Sequence, residues 1–290
     1  MTYLPRYNFG MLPEEYSNYK DSRVVILPVP YGATVSYMAG THLGPDAVIK
    51  ASQNMELYDR KLGSIFECGI HTLPSLEPVI DPEEMVNQVE VACTEHLKKG
   101  KFVAMIGGEH SLTTGAVRAA KTEYRDLSVL QLDAHADLRE EYEGTKYNHA
   151  CVMNCVSEIC DFAGVGIRSL SEEEGELIKA KGCKEYYAED IAKRAGAMDN
   201  AIESLSNDVY VTIDLDAFDP SIMPAVGTPE PGGLGWYQTL DFLEKVFKKK
   251  NVVGFDIVEL CPIPGIIFPD FTAAKLVYKL IGFKAREGFK

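Results

Sequence analysis

No apolar run in the sequence is long enough to cross a membrane; the most hydrophobic stretches are interrupted by Asp256, Glu259 and several prolines. The start, Met1-Thr-Tyr-Leu-Pro-Arg-Tyr-Asn-Phe9, has neither a basic n-region nor an apolar h-region, so no secretory leader is read there. Internal repeats, low-complexity tracts and Gly/Ser linkers are also lacking, and the 290 residues are read as one domain, 1–290. Basic residues are scarce, with 29 Lys and Arg against 43 Asp and Glu and a net charge of −14. That balance disfavours nucleic acid, whose binding depends on clustered Lys and Arg, and suits a cationic small molecule drawn to an acidic cleft. The 7 cysteines are odd in number and irregularly spaced, so reduced thiols in a cytoplasm are expected rather than a disulfide framework. Cys151, Cys155 and Cys160 could form a redox or zinc site, but small buried hydrophobes beside a helix are the preferred reading.

What is present is a regular alternation. Val- and Ile-rich runs at 23–28, 65–70, 102–106, 128–132, 162–167, 184–187, 209–215 and 252–258 read as strands covered on both faces. Helical stretches separate them. Asp81-Pro82-Glu83-Glu84 supplies an N-cap, a first-turn proline and an acid at the third position, and Gly100 closes that helix. Met85, Val89, Ala92, Cys93 and Leu97 share one face, and His96 is expected to face solvent or the helix dipole near the C-terminal end. The alternation predicts a mostly parallel sheet, with a (β/α)₈ barrel as the second possibility. Either architecture puts chemistry at the carboxyl ends of the strands.

Four polar segments fall at those ends. They are Gly107-Gly108-Glu109-His110, Asp133-Ala-His135-Ala-Asp137, Asp214-Leu-Asp216 and Glu259. In extended backbone, residues two apart point to the same side, so Asp133, His135 and Asp137 can converge, as can Asp214 and Asp216. With His110 they make two imidazoles and four carboxylates. That is too many ligands for one tetrahedral zinc but suits two ions bridged by carboxylates. An oxygen-rich set favours Mn²⁺ or a similar ion over a thiolate-seeking one. By shuffling, Asp-x-His-x-Asp would occur only about 0.02 times per chain, whereas Asp-x-Asp would occur about once. Alone, Asp214 and Asp216 would read as a solvated strand end, because Asp216-Ala-Phe-Asp219-Pro220 has turn chemistry. His110 would read as a helix-start neighbour, ahead of Ser111 and Thr113.

In that order, Gly-Gly-x-His, Asp-x-His-x-Asp and Asp-x-Asp-x-x-Asp-Pro resemble the metal signatures of the ureohydrolases, the arginase and agmatinase family. The resemblance extends through Gly40-Thr-His-Leu-Gly44-Pro45 and Val165-Gly-Ile-Arg168-Ser169. Gly227-Thr-Pro-Glu-Pro-Gly-Gly233 and Ala273-Ala274-Lys275-Leu276-Val277-Tyr278 are similar to the agmatinase branch. The resemblance implies a three-layer α/β/α sandwich with a mostly parallel eight-stranded sheet, the arginase/deacetylase-like fold. It implies two Mn²⁺ per chain, one on His110, Asp133, Asp137 and Asp214, the other on Asp133, His135, Asp214 and Asp216. It also implies a homo-oligomer, trimer or hexamer.

The chemistry implied is release of urea from a small cationic guanidino substrate, with agmatine going to putrescine as the leading reading. Glu259 would hold the guanidinium, Asp137 would protonate the departing amine and His149 would shuttle protons. Without the family, His149 is one histidine in a polar loop and Glu259 a strand-end salt-bridge partner. The alternatives are a sister hydrolase acting on arginine, guanidinobutyrate, formiminoglutamate or an N-substituted agmatine, an inactive metal-binding homologue, and a single-zinc deacetylase. The 138–148 loop bears on substrate choice. Arg139 and Tyr147 stand where arginases present side chains to an amino acid. Arg139 is expected to pair with Glu140, Glu141 or Glu143.

Overall fold

The computed structural model describes residues 7–194 and 196–289; Met1–Arg6, most of the segment read for a leader, lie outside them. Eight strands form one sheet: β1 (Val24–Val29), β2 (Ile70–Thr72), β3 (Phe102–Gly107), β4 (Leu127–Leu132), β5 (Phe162–Ile167), β6 (Lys184–Tyr187), β7 (Asp208–Asp214) and β8 (Asn251–Val258). Their order is β2-β1-β3-β8-β7-β4-β5-β6, and all the pairings are parallel. The sheet is open, with β2 and β6 at its edges, so the barrel alternative is excluded. Seven of the expected runs match strands to within a residue or so. The run at 65–70 does not: Ile65–Cys68 form a 3₁₀ turn and the strand is only Ile70–Thr72. Gly69 makes the turn at φ 76°, with its Cα side so close to Ser22 that a Cβ would stand 2.6 Å from Ser22 Cα.

Alternate strand residues feed two cores, because neighbouring side chains point to opposite faces. Val24 and Ile26 of β1 pack with Val48, Ile49, Leu276 and Val277, whereas Val25, Leu27 and Val29 pack with Met85, Val89 and Val117. Helices α1 (Gly44–Ser52), α2 (Pro82–Lys98), α3 (Thr113–Glu123), α4 (Val152–Ser157), α5 (Glu172–Lys181), α6 (Trp236–Lys249) and α7 (Phe268–Glu287) supply the outer layers. The first, sixth and seventh cover one face, and the second, third and fourth the other, which gives the three-layer α/β/α sandwich. No helix among the described residues is long and apolar enough to cross a membrane.

The caps follow the sequence. Asp81 Oδ1 accepts from Glu84 N at 2.9 Å, and Gly100 turns the chain out at φ 71°. His96 departs from expectation: it is buried, its Nδ1 2.8 Å from the Tyr19 hydroxyl, because Tyr19 packs across the end of α2. Cys151 and Cys155 are buried beside α4 and Cys160 is partly buried, all three free thiols. Burial pushes Cys151 up to about 12 and Cys160 up to about 11, which fits apolar packing rather than thiolate chemistry.

The loops above β1 and β3 meet most tightly at Gly108. Gly108 N donates to Val29 O and Glu109 N to Tyr31 O, both at 2.9 Å, and a Cβ on Gly108 would lie 1.7 Å from Tyr31 O. Gly108→Ala is therefore expected to lower unfolding stability by at least about 2 kcal/mol in urea titrations, since the backbone itself must move. Gly175→Ala is the control. It lies in α5 and its Cβ would meet only Leu170 Cδ1 at 3.5 Å, so it should gain up to about 1 kcal/mol.

Candidate metal centre

The four central strands β3, β8, β7 and β4 are neighbours, and the polar segments crown their carboxyl ends. His110 follows β3 and opens the 3₁₀ turn into α3, so the helix-start reading and the functional one are both true of it. Asp133, His135 and Asp137 follow β4, Asp214 and Asp216 close β7, and Glu259 follows β8. One cavity of about 280 Å³ is lined by His110, His135, Asp137, His149, Asp214 and Glu259 among others.

The groups converge, although not along extended backbone: Asp137 is left-handed at φ 53° and Asp216 lies in a 3₁₀ turn, Leu215–Ala217. His110, Asp133 and Asp137 form one set and Asp133, His135 and Asp216 a second, with the ligand atoms of each set within 4.8 Å of one another and Asp133 common to both. His110 Nδ1 is 3.1 Å from Asp133 Oδ2, 3.1 Å from Asp137 Oδ2 and 3.6 Å from Asp214 Oδ2. His135 Nδ1 is 2.9 Å from Asp216 Oδ2 and 3.7 Å from Asp133 Oδ1. Asp214 thus stands beside the first set.

Fixed donors orient these carboxylates. Asp133 Oδ1 accepts from His135 N at 2.6 Å, Asp214 Oδ1 from Asp216 N at 2.9 Å and Asp216 Oδ1 from Ala134 N at 2.9 Å. Glu259 Oε1 accepts from His110 N at 2.7 Å. Asp137 at φ 53° and Glu259 at φ 64° adopt the left-handed conformation, uncommon for residues with a Cβ and tolerated where a site dictates it.

His110 is aligned from below. Its Nε2 lies 2.8 Å from Thr212 Oγ1, and that hydroxyl donates to Asp256 Oδ1 at 2.6 Å. Having given its only proton to Asp256, Thr212 accepts from His110 Nε2–H, which leaves Nδ1 as the lone-pair nitrogen. Asp256 Oδ2 also accepts from Tyr210 OH at 2.9 Å and Thr113 Oγ1 at 3.0 Å. The sequence reading treated Asp256 as a break in an apolar stretch, but it is wholly buried within β8. A carboxylate in a strand covered on both faces must be satisfied by something, and that was the available signal.

The site fits divalent cations. His110 Nδ1 is buried without a hydrogen-bond partner while facing three carboxylate oxygens, the arrangement an ion would complete. The charges are otherwise frustrated. Burial, then Asp216 and Asp133, drive the Asp214 carboxyl well above its usual range, and burial, then Asp133, push Asp137 up to about 7. For His110, burial opposes the charged form, but Asp133 and Asp137 outweigh it and raise the imidazole. A set of carboxylate oxygens and imidazole nitrogens, with no thiolate, suits hard to borderline ions.

His149 lies above this crater in a 3₁₀ turn, with its Nε2 3.3 Å from Ser36 Oγ and its Nδ1 buried and unpartnered. Its N donates to Thr34 Oγ1 at 3.3 Å. Glu109, which sequence reasoning passed over, is wholly buried and accepts from Thr34 N at 2.8 Å, Thr34 Oγ1 at 2.6 Å and Ser111 Oγ at 2.5 Å. It thereby ties the β1 loop to the turn that carries His110. Arg168 was likewise given no role, yet it binds Asp216 O at 2.7 Å and Glu230 O at 2.8 Å, joining the second set to the 227–233 loop.

Two loop expectations fail. Among the described residues Arg139 makes no ion pair with Glu140, Glu141 or Glu143; it lines the cavity with its guanidinium 5.0 Å over the Tyr142 ring. Tyr147 is buried away from the cavity, accepting from Arg118 Nη2 at 3.1 Å and donating to Glu83 Oε1 at 3.2 Å, because Arg118 and Glu83 draw the phenol toward α2 and α3.

Comparison with known proteins agrees with this geometry. The sequence profile described as the arginase family matches residues 22–282. The chain is 42% identical over 280 residues to the N(1)-aminopropylagmatine ureohydrolase of Synechocystis sp., covering 93% of this chain and 92% of that protein. It is 35% identical over 276 residues to the agmatinase of Pyrococcus horikoshii, covering 92% and 94%. The crystal structure of the agmatine ureohydrolase of Thermoplasma volcanium superposes with a TM-score of 0.89 at 33% identity, covering 98% of this chain and 96% of that one. With the profile spanning nearly the whole chain, and two His/Asp clusters gathered at the ends of its central strands, this protein is a hydrolase of the arginase family, the ureohydrolases.

Proposed function

We propose that the protein hydrolyses an N-substituted agmatine, releasing urea, with two Mn²⁺ held by His110, Asp133, His135, Asp137, Asp214 and Asp216. The observation that carries the metal reading is the buried, unpartnered His110 Nδ1 facing Asp133, Asp137 and Asp214. The substrate reading rests on the higher identity to an aminopropylagmatine ureohydrolase, 42%, than to an agmatinase, 35%. It shifts the agmatine reading of the sequence to one of its alternatives.

Bound there, two such ions would acidify water enough to supply hydroxide near neutral pH. The chain's own groups do the rest. Glu259, fixed by His110 N, presents its remaining oxygen to the planar guanidinium and holds the carbon in line. Asp137 delivers a proton to the departing amine. His149 carries protons between the crater and solvent; burial pushes it down to about 4, so its resting imidazole is neutral at pH 7. Above the crater the walls include Ser36, Tyr37, Met38, Leu170 and Glu174. Glu174 accepts from Leu138 N at 2.9 Å and Ser171 N at 2.7 Å, a fixed anion facing the tail of an extended amine. None of Glu140, Glu141 and Glu143 lines the cavity. Self-association belongs to the same reading, supported by the exposed cluster Ile266, Ile267, Phe268 and Phe271.

Elemental analysis of the active protein should find two divalent ions per chain, with activity highest after Mn²⁺ loading. Asp133→Asn should abolish turnover and weaken both ions; a single tightly held zinc in active protein would end the two-metal reading.

His149→Ala should lower kcat by about 10²-fold or more, the scale of an acid–base group, with metal content retained. Near-full rates from neutral to alkaline pH would remove the shuttle.

Specificity constants on Mn²⁺-loaded protein should rank N1-aminopropylagmatine above agmatine and both above arginine. Arginine should trail by roughly 10²-fold or more, because its carboxylate would be desolvated on the cavity wall that carries Glu174. Agmatine leading would return the reading to a plain agmatinase, and arginine leading would overturn both.

A further inference from the structure

Two residues beneath the metal-facing groups, a polar row crosses the sheet. In register it runs Glu185 of β6, Gly164 of β5, Gln131 of β4, Thr212 of β7 and Asp256 of β8. Neighbours in parallel register share a face, so these side chains lie in one layer, on the side covered by α2 and α3. One end of the row is already explained: Asp256 orients Thr212, and Thr212 orients His110.

The other end is not. Gln131 Nε2 donates to Asp133 Oδ2 at 2.9 Å and to His135 O at 3.2 Å. Both partners are acceptors, so the amide cannot be flipped without setting oxygen against oxygen twice. Gln131 Oε1 must therefore point the opposite way, where it is buried without a donor. Glu185 fills that space. Gly164 leaves room for it, since a Cβ on Gly164 would lie 1.9 Å from Glu185 Oε2 and 3.2 Å from Gln131 Oε1. Among the described residues neither Glu185 oxygen has a hydrogen-bond partner.

A buried carboxylate with no donor, beside an amide oxygen with no donor, would leave two desolvated polar groups uncompensated. One proton removes both penalties. We propose that Glu185 is a positioning residue that keeps its proton and donates it to Gln131 Oε1, locking the Gln131 amide so that Nε2 holds Asp133. Burial favours the neutral form, pushing Glu185 up to about 8. The two ends of the row then act alike: a carboxyl group at each end fixes a neutral residue, which fixes one metal-facing group. Asp133, the residue common to both sets, is thereby held by a neutral side-chain donor of fixed orientation.

The inference rests on the two-metal reading for its consequence but not for the proton itself, so the test has separate arms. Mn²⁺ affinity is measured by calorimetry on folded, metal-free wild type, Glu185→Gln and Glu185→Leu. The Gln side chain can still donate to Gln131 and should bind Mn²⁺ as wild type does. The Leu variant should bind about 10-fold more weakly or worse, as expected when a ligand loses its outer support. In a Gln131→Met background, Glu185→Leu should cost nothing further, because its route is gone. Wild-type affinity in Glu185→Leu, equal loss in Glu185→Gln, or an undiminished cost in the Gln131→Met background would each overturn the role. Infrared difference spectra of wild type against Glu185→Gln should contain the carbonyl band of a protonated carboxyl. Its absence would overturn the proposal even if the Leu variant failed to fold. Wild type that binds no Mn²⁺ while showing that band would defeat the two-metal reading and the support role but leave the Glu185 proton standing.

Discussion

Crowding of like charge governs this molecule. Asp133, Asp137, Asp214 and Asp216 are all buried within one crater, and His110 and His135 are the nearest compensating groups. Ionised carboxylates so close in a poorly solvated site repel strongly, and burial penalises each of them separately. The protein responds in two ways. Backbone N–H groups of Ala134, His135 and Asp216 take one oxygen from each of three acids, and the remaining oxygens point inward where cations can neutralise them. Without a cation, the balance falls to protonation, as the raised Asp137 and Asp214 carboxyls record.

Such a crater is possible because the sheet is parallel. Every strand brings its carboxyl end to the same edge, so four neighbouring strands can each contribute a side chain without long loops. The cost is irregular backbone at the rim, concentrated in left-handed Asp137 and Glu259 and in the close approach at Gly108. Beneath the rim, Asp256, Thr212 and Gln131 are polar residues in strands that carry mainly apolar side chains into the cores. Their hydrogen bonds aim the groups above them, which is why a covered strand tolerates a carboxylate.

Chemistry and selectivity come from different parts of the fold. The crater is built from strand ends and fixed hydrogen bonds, whereas the walls above it come from loops around Ser36–Met38, Arg139–Tyr142 and Ser169–Ser171. Glu109 links the two, holding Thr34 on one side and standing next to His110 on the other. Changes in the loops can therefore alter the walls while leaving the crater beneath them in place.

Strand–helix alternation, the α2 cap and the period-two spacing of Asp133, His135, Asp137, Asp214 and Asp216 were legible in the sequence, because each depends on residues near one another along the chain. Convergence of the strand ends followed from the parallel arrangement that the strand–helix alternation predicts. What depends on strand order was not legible. Asp256 is 44 residues from Thr212, and only the β7–β8 pairing makes them partners. Glu185 meets Gln131 only because Gly164 lies between them in register. Arg139 takes Tyr142 rather than a neighbouring glutamate, a choice among several equally close partners that linear distance cannot rank. Sequence by itself singled out the imidazoles and carboxylates that gather at the strand ends. Tertiary structure decided which buried groups support them, because satisfying a buried polar atom is a matter of what lies across the sheet, not along the chain.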